Sequence, residues 1–363
     1  MTESPERVHG LFAENLLTWF AEHRRDLPWR RTYLPYHVWI SEIMLQQTQM
    51  DRVIGYFKKW MRRFPDIPTL ALARQDEVMK AWEGLGYYSR AGNIMKTATL
   101  LMENGGEIPD NHTELLRLPG IGPYTAGAIM SIAFNKDYPV VDGNVERVLA
   151  RVFDVDVPVK TTQARKFFWE KAANLLPAGR ARDFNQALME LGALVCLPKN
   201  PDCHLCPLQS QCRAVQFDTS SQRPVTGESS GTIPIEMVTG VLLKNDLVFI
   251  QKRMPDDVWA NLWEFPGGRL KQGEKPEQAL IREFFEETEF QVEPAKKIIT
   301  VQHSYMQYRV TLHCYFCLLV SDSDIPRLHA AQEYRWIAFS ELDQFAFPAG
   351  HRKLINFLST NTT

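Results

Sequence analysis

"LLRLPGIGPYTAGAIMSIAF", residues 115–134, sets Gly120 and Gly122 between two segments of helical spacing. Glycine lets a backbone turn tightly and approach another group closely. The segment after it opens with free backbone N–H groups and the positive end of a helix dipole, a combination suited to phosphate. A G-x-G pair alone is equally a plain turn between helices. Leu118-Pro119 before it and the small residues Thr125, Ala126, Gly127 and Ala128 after it allow a close-packed hairpin of helices.

About twenty residues further on, "YPVVDGNVERVLARVF" carries Asp142 beside Gly143 and Asn144. Read alone, Asp142 is an N-cap that satisfies orphan N–H groups of the helix after it. Next comes "CLPKNPDCHLCPLQSQC", with Cys196, Cys203, Cys206 and Cys212 spaced C-x6-C-x2-C-x5-C. Four thiols within so short a stretch point to one metal site, and their ligation alone leaves zinc and iron–sulfur both open. Cys314 and Cys317 lie in an apolar strand pattern and read as packing residues.

At 363 residues the chain is long enough for two domains, and 45% hydrophobic with 23% charged residues excludes disorder and fibrous classes. No apolar run is long enough for a membrane span and no signal-peptide pattern opens the chain, so the expectation is a cytoplasmic protein without a membrane partner. Net charge is −2, but residues 1–213 carry 26 Lys/Arg against 24 Asp/Glu, and residues 214–363 carry 15 against 19. Arg24, Arg25, Arg30 and Arg31, and then Lys58, Lys59, Arg62 and Arg63, cluster in the first part. Such clusters suit either a solvated face or phosphate contact. Repeated amphipathic segments make the first part all-α. The Ser-, Gly- and Pro-rich stretch within 214–234 reads as a linker. Beyond it, strand patterns in "MVTGVLLKNDLVFIQKR" and "TLHCYFCLLV" flank a helical one in "KPEQALIREFFEET", giving an α+β domain over 235–363.

One more stretch asks for an explanation. "WISEIMLQQTQM", residues 39–50, reads as a largely buried helix with a single carboxylate, Glu42. Burying a carboxylate is costly unless it is paired or protonated. On the residues alone, an ion pair with Arg25 or Arg30 is the simplest reading.

Hairpin, Asp142 and cysteine loop in this order resemble the helix–hairpin–helix glycosylases of the endonuclease III superfamily. "SEIMLQQTQ", "GLGYYSRAGN", "VDGNVERVLAR" and "FNQALMELGALVC" are similar to the MutY adenine DNA glycosylases over essentially the whole chain. The resemblance implies a multidomain architecture: an all-α glycosylase domain (1–213) with the hairpin motif at about 112–135, a linker (214–234), and a Nudix-like domain (235–363). It implies a 4Fe–4S cluster on Cys196, Cys203, Cys206 and Cys212. It further implies a bacterial, nucleoid-associated monomer acting on double-stranded DNA that contains A·8-oxoguanine or A·G mispairs in base excision repair. Glu42 becomes the acid that protonates N7 of adenine, Asp142 the anion that steadies the oxocarbenium-like sugar, and Tyr124 and Asn144 their supports. Trp29, Arg30, Leu45, Gln186 and Glu190 match the base pocket. Gln47 and Tyr87 match residues that enter the duplex, and Gly120 and Gly122 hold its backbone. Strand-cutting relatives carry a Lys nucleophile where this chain has Tyr124, which implies a monofunctional enzyme.

"GGRLKQGEKPEQALIREFFEETEF" fits a Nudix box, with Glu274, Arg282, Glu283, Glu286 and Glu287 in place and Glu289 where the box calls for Gly. Magnesium is expected only if that box is functional. The family's Phe-Ser-His, which meets 8-oxoguanine, matches His303, Ser304 and Tyr305 in "VQHSYMQYRV", keeping only the serine. Two other readings are a Nudix pyrophosphohydrolase that docks on DNA, and a DNA-binding module without catalysis.

Overall fold

The computed structural model describes residues 5–227, 231–320 and 325–361. Its chain divides into two compact units, Met1–Ala71 with Lys96–Ser229, and Leu72–Met95 with Ser230–Thr363. Residues 72–95, which the sequence places in the helical domain, therefore cluster with the second unit.

The first unit begins with α1 (Pro5–His23), α2 (Pro35–Leu45), α3 (Met50–Arg63) and α4 (Ile67–Ala71). Helix α5 (Gln75–Trp82) belongs to the second unit, and α6 (Ser89–Glu103) crosses the division. The first unit continues with α7 (His112–Leu115), α8 (Pro123–Ala128), α9 (Gly143–Val152), α10 (Thr162–Leu175), α11 (Ala181–Leu194) and α12 (Arg213–Gln216).

Local chemistry accounts for several of these elements. In α3 the apolar Val53, Phe57 and Trp60 recur at helical spacing and are buried, while Lys58, Lys59, Arg62 and Arg63 fall on the other sides. Asn111 caps α7 by accepting from the N–H groups of Thr113 and Glu114. Pro123, whose fixed φ suits a first helical position, opens α8, which runs on into a π-helical stretch at Ile129–Ala133. Leu16 and Phe20 of α1, Val145 and Leu149 of α9, and Phe184 and Leu188 of α11 form the core that fixes the last two helices against each other.

The expected linker starts on the helical unit. Arg151 Nε donates to the carbonyls of Ser220 at 3.0 Å and Arg223 at 2.9 Å, and Val159 N donates to Val225 O at 3.1 Å. A loop composition does not reveal that a distant arginine will satisfy its carbonyls.

The second unit holds a seven-stranded mixed sheet. Its strands are β1 (Ile233–Lys244), β2 (Leu247–Arg253), β3 (Trp263–Glu264), β4 (Gly267–Arg269), β5 (Val292–Tyr305), β6 (Tyr308–Leu319) and β7 (Ala331–Ala338). The order is β3-β2-β1-β6-β5, with β4 also on β1 and β7 on β2. β1 and β6 run parallel; the other pairings are antiparallel. Asn245 and Asp246 join β1 to β2 with φ of 50° and 62°, the conformation a two-residue hairpin requires. Helix α13 (Pro276–Thr288) covers one face through Leu280 and Phe284, and α14 (Ala349–Asn361) the other through Leu354 and Leu358. Cys314 and Cys317 are fully buried, one in each of these cores.

Glu289 ends α13 in the left-handed conformation, at φ 59° and ψ 9°, where glycine carries no Cβ penalty. Its carboxylate meets His329 at 2.8 Å and Arg327 at 3.5 Å, both largely exposed contacts. Glu289→Gly is expected to stabilise the second unit by about 1 kcal/mol in urea unfolding. A loss of stability would show that these contacts outweigh the backbone term.

Candidate active site

Helix α2 buries every residue from Val38 to Met44, Glu42 among them at 3% exposure. Among the described residues no arginine pairs with it directly. Tyr124, from the first turn of α8, donates its hydroxyl to Glu42 Oε2 at 2.6 Å. Burial raises the Glu42 carboxyl to about 7; the Tyr124 bond works against this, the charge of Asp142 adds to it, and Arg30 subtracts. The side chain therefore holds a proton near neutrality without an ion pair.

Asp142 fulfils its capping role and faces the same space. Its Oδ1 accepts from Val145 N at 2.7 Å, and Oδ2 accepts from Asn144 Nδ2 at 2.8 Å. Burial pushes this carboxyl up as well, against those bonds and the nearby Arg147. Arg147, one turn into α9, donates to Asn144 Oδ1 at 2.8 Å, Gly192 O at 2.8 Å and Cys196 O at 2.7 Å. A Cβ on Gly192 would stand 2.6 Å from Asn144 Cβ, so only glycine permits α11 to approach α9 this closely. One guanidinium and one missing methyl thus fix Asn144 on Asp142.

Glu42, Tyr124, Asp142 and Asn144 line a single cleft of about 780 Å³. Trp29, Arg30, Leu45, Gln47, Gln186 and Glu190 line it too, as does Gly122 at the hairpin. Glu190 is where the arginines go. Arg25 donates from Nε to Glu190 Oε1 and from Nη2 to Oε2, each at 2.9 Å, and Arg30 donates to the same two oxygens at 3.1 and 2.9 Å. Burial would raise the Glu190 carboxyl, but these bonds lower it to about 2. The ion pair that the sequence suggests for Glu42 is therefore made by Glu190, because the tertiary fold brings α11 to the Arg25–Arg30 segment. Arg25 and Arg147 also line the cleft; the sequence offers Arg25 only as a partner for Glu42, and Arg147 escapes it. For Arg147 the available signal is its spacing, one helical turn beyond Asn144.

Some expected residues lie elsewhere. Gly120, at φ 77°, is exposed in the turn before α8, with Thr97 Oγ1 donating to Pro119 O at 2.9 Å behind it. Tyr87 belongs to the second unit. Gln47 and Tyr87 both have positive φ, 56° and 48°, which is strained for non-glycine residues and frequent where function requires it. On β5, Ser304 is exposed, but His303 turns inward: its ring approaches the site of a Gly350 Cβ to 2.9 Å on α14, and burial lowers its pKa. Tyr305 packs edge-on against Trp259, with ring centroids 5.3 Å apart. The hairpin tip beyond it is Met306, 68% exposed, and Gln307. Strand alternation separates His303 from Ser304, so the three matched residues do not present one surface.

The family model for HhH-GPD superfamily base excision DNA repair proteins matches residues 40–173, and the NUDIX domain model matches residues 238–357. An adenine DNA glycosylase of Buchnera aphidicola subsp. Baizongia pistaciae (strain Bp) is 39% identical over 259 residues, covering 70% of this chain and 73% of that protein. The adenine DNA glycosylase of Rattus norvegicus is 34% identical over 402 residues, covering 94% and 77% respectively. The chain belongs to the adenine DNA glycosylase family. It is a DNA N-glycosylase with a Nudix-like second unit. Among solved structures, a thermostable thymine-DNA glycosylase matches with a TM-score of 0.55 and 31% identity, over 59% of this chain and 100% of that one. A non-covalent endonuclease III–DNA complex, at TM-score 0.51 and 22% identity over 60% and 99%, shares the fold of the helical unit.

In this glycosylase the four cysteines of the 196–212 loop line one small apolar pocket. Arg151 Nη1 donates to Cys196 Sγ at 3.2 Å, and Cys212 Sγ lies 3.4 Å from Arg151 O. A single zinc draws four thiolates to about 2.3 Å from one point. Four thiols lining one pocket are a donor set that suits zinc or an iron–sulfur cluster.

The acids of the Nudix box are occupied within the protein. Arg282 bonds Glu274 at 2.8 Å, Glu283 at 2.7 Å and Glu286 at 2.9 Å, while Glu287 accepts from Gln251 Nε2 at 2.9 Å and from Gly267 N at 3.2 Å. Among the described residues no helix is long and apolar enough to cross a membrane.

Gly192→Ala is expected to push Asn144 off Asp142 and slow base release at least about tenfold while the chain still folds. Single-turnover kinetics with circular dichroism check this; an unchanged rate would show that the close approach does not set the site.

Proposed function

We propose that this glycosylase excises adenine paired with 8-oxoguanine or guanine, by protonation from Glu42. The observation that carries the proposal is a pair of buried carboxyl groups, Glu42, which burial raises to about 7, and Asp142, lining one cleft large enough for a purine. Adenine stacked in a duplex is out of reach, so it enters the cleft flipped out. Adenine leaves poorly as an anion. Proton transfer from Glu42 to N7 lets the electrons of the N-glycosidic bond pass to a neutral base. Asp142 supplies the negative charge that the oxocarbenium-like sugar needs, with Asn144 and Val145 N holding its oxygens in place. Water then adds to the sugar carbon and returns a proton to Glu42, restoring the acid.

Cleavage stops at base removal: Tyr124 stands in the cleft where strand-cutting relatives carry the lysine that forms a Schiff base. Trp29, Leu45 and Gln186 frame the base, and Glu190, kept ionised by Arg25 and Arg30, adds an acceptor to the pocket edge. Gln47 and Tyr87 enter the duplex, and the Gly120–Gly122 turn holds its backbone. The hairpin end with Ser304, Tyr305, Met306 and Gln307 reads the base opposite. Cys196, Cys203, Cys206 and Cys212 hold a 4Fe–4S cluster, which ties the 196–212 loop together and so supports the carbonyl that Arg147 grips.

A single-turnover assay on an A·8-oxoguanine duplex tests the proposal. Glu42→Gln should reduce base release by at least about a thousandfold; release at the parental rate would sink the assignment. The proton donor must be protonated, so the rate should fall as pH rises through about 7. Asp142 must be ionised, so an acid limb should appear above the ordinary Asp range. At pH 8 the same Glu42→Gln protein should be more stable than the parent by about 2–3 kcal/mol, because the buried ionised carboxylate is gone.

Elemental analysis tests the cysteine site. Iron and sulfide in equal amounts, lost in Cys206→Ser, are expected; stoichiometric zinc without iron would overturn the cluster assignment.

A further inference from the structure

Residues 72–95 lie inside the span that the glycosylase family model matches, yet they cluster with the second unit. Helix α5 is eight residues long, too short to hold its own place, so its position is set by what it docks on. Asp76 and Lys80 of the helix, and Glu83 beyond it, make charged or polar contacts within that unit. Asp76 Oδ1 accepts from Lys252 Nζ at 2.9 Å and from Trp263 Nε1 at 3.3 Å. Lys80 Nζ donates to Phe345 O at 3.1 Å. Glu83, just past the helix end, accepts on Oε1 from Phe347 N at 2.9 Å and from Arg352 Nε at 2.8 Å. Arg352 also donates to Phe345 O at 2.7 Å and lies over the Phe347 ring.

From Glu83 the chain reaches Tyr87 through a turn with little freedom. Trp82 Nε1 donates to Gly86 O at 3.1 Å, and Gly84 N donates to the Tyr88 hydroxyl at 3.2 Å. Arg90 Nη2 donates to the carbonyls of Leu85 and Gly86, each at 3.0 Å, and the guanidinium lies over the Trp82 and Tyr87 rings. These bonds couple Glu83 to Tyr87 through the segment between Trp82 and Arg90.

We propose that Glu83 and Arg352 form a latch through which the C-terminal unit positions Tyr87, making both of them positioning residues for discrimination of the base opposite adenine. The inference rests on the reading above that Tyr87 enters the duplex. It supplies a physical route for the second unit to act on the DNA beyond its own hairpin tip.

The test is a double-mutant cycle on the full-length enzyme, reading the ratio of single-turnover rates on A·8-oxoguanine and A·G duplexes. Glu83→Ala should lower that ratio about three- to tenfold. Glu83→Gln, which keeps an acceptor for Phe347 N, should restore part of it. Tyr87→Ala should lower the ratio as well, and the double variant should fall no further than Tyr87→Ala alone. Hydrogen exchange of residues 84–88 should quicken in Glu83→Ala, while the melting of the helical unit stays put. An unchanged ratio in Tyr87→Ala would remove the duplex-entry reading. A normal ratio in Glu83→Ala, or additive losses in the double variant, would overturn the latch while leaving that reading intact.

Discussion

The structure turns on a carboxyl group kept out of water. Among the described residues no cation pairs with Glu42 directly and one phenol donates to it, while burial raises its carboxyl to about 7. An arginine in direct contact would relieve the cost of burial, and would also favour loss of the proton. The two nearest candidates are instead bound to Glu190, whose carboxylate takes both guanidinium groups. The helical unit thus keeps one buried acid neutral and another ionised within a single cleft, by allotting the cations to one of them.

Around that pair, close backbone approach replaces bulk. Gly192 lets α11 press on Asn144, and Gly127 sits where a Cβ would stand 2.7 Å from Pro139 O. Arg147 then joins Asn144 to the carbonyl of Cys196. The cysteine loop and the N-terminus of α9 become one mechanical piece, so order in the loop bears on the position of Asp142. The second unit follows a different plan, in which the acids of the Nudix box are bonded by Arg282 and by backbone and amide donors.

Much was legible before any coordinates. The amphipathic spacing of α3, the turn at Asn245-Asp246 and the helix over Pro276–Thr288 follow from local rules that act within a few residues. Family membership was legible too, because the hairpin glycines, Asp142 and the four cysteines keep a fixed order along the chain. The partner of Glu42 was legible only through the family resemblance, which names Tyr124 among the supports of the two carboxylates; by local rules nothing distinguishes Tyr124, 82 residues away, from Arg25 or Arg30. The inward turn of His303 was not legible, because it depends on the register of β5 against α14.

By itself, then, the sequence determined which residue types were on hand and which short segments would be helix, strand or turn, because those depend on near neighbours. Tertiary structure decided which carboxylate received the arginines, which stayed neutral, and to which unit residues 72–95 belong. Ionisation in a protein is set by distance and desolvation. Both are fixed only when segments far apart in sequence close around the same few ångströms.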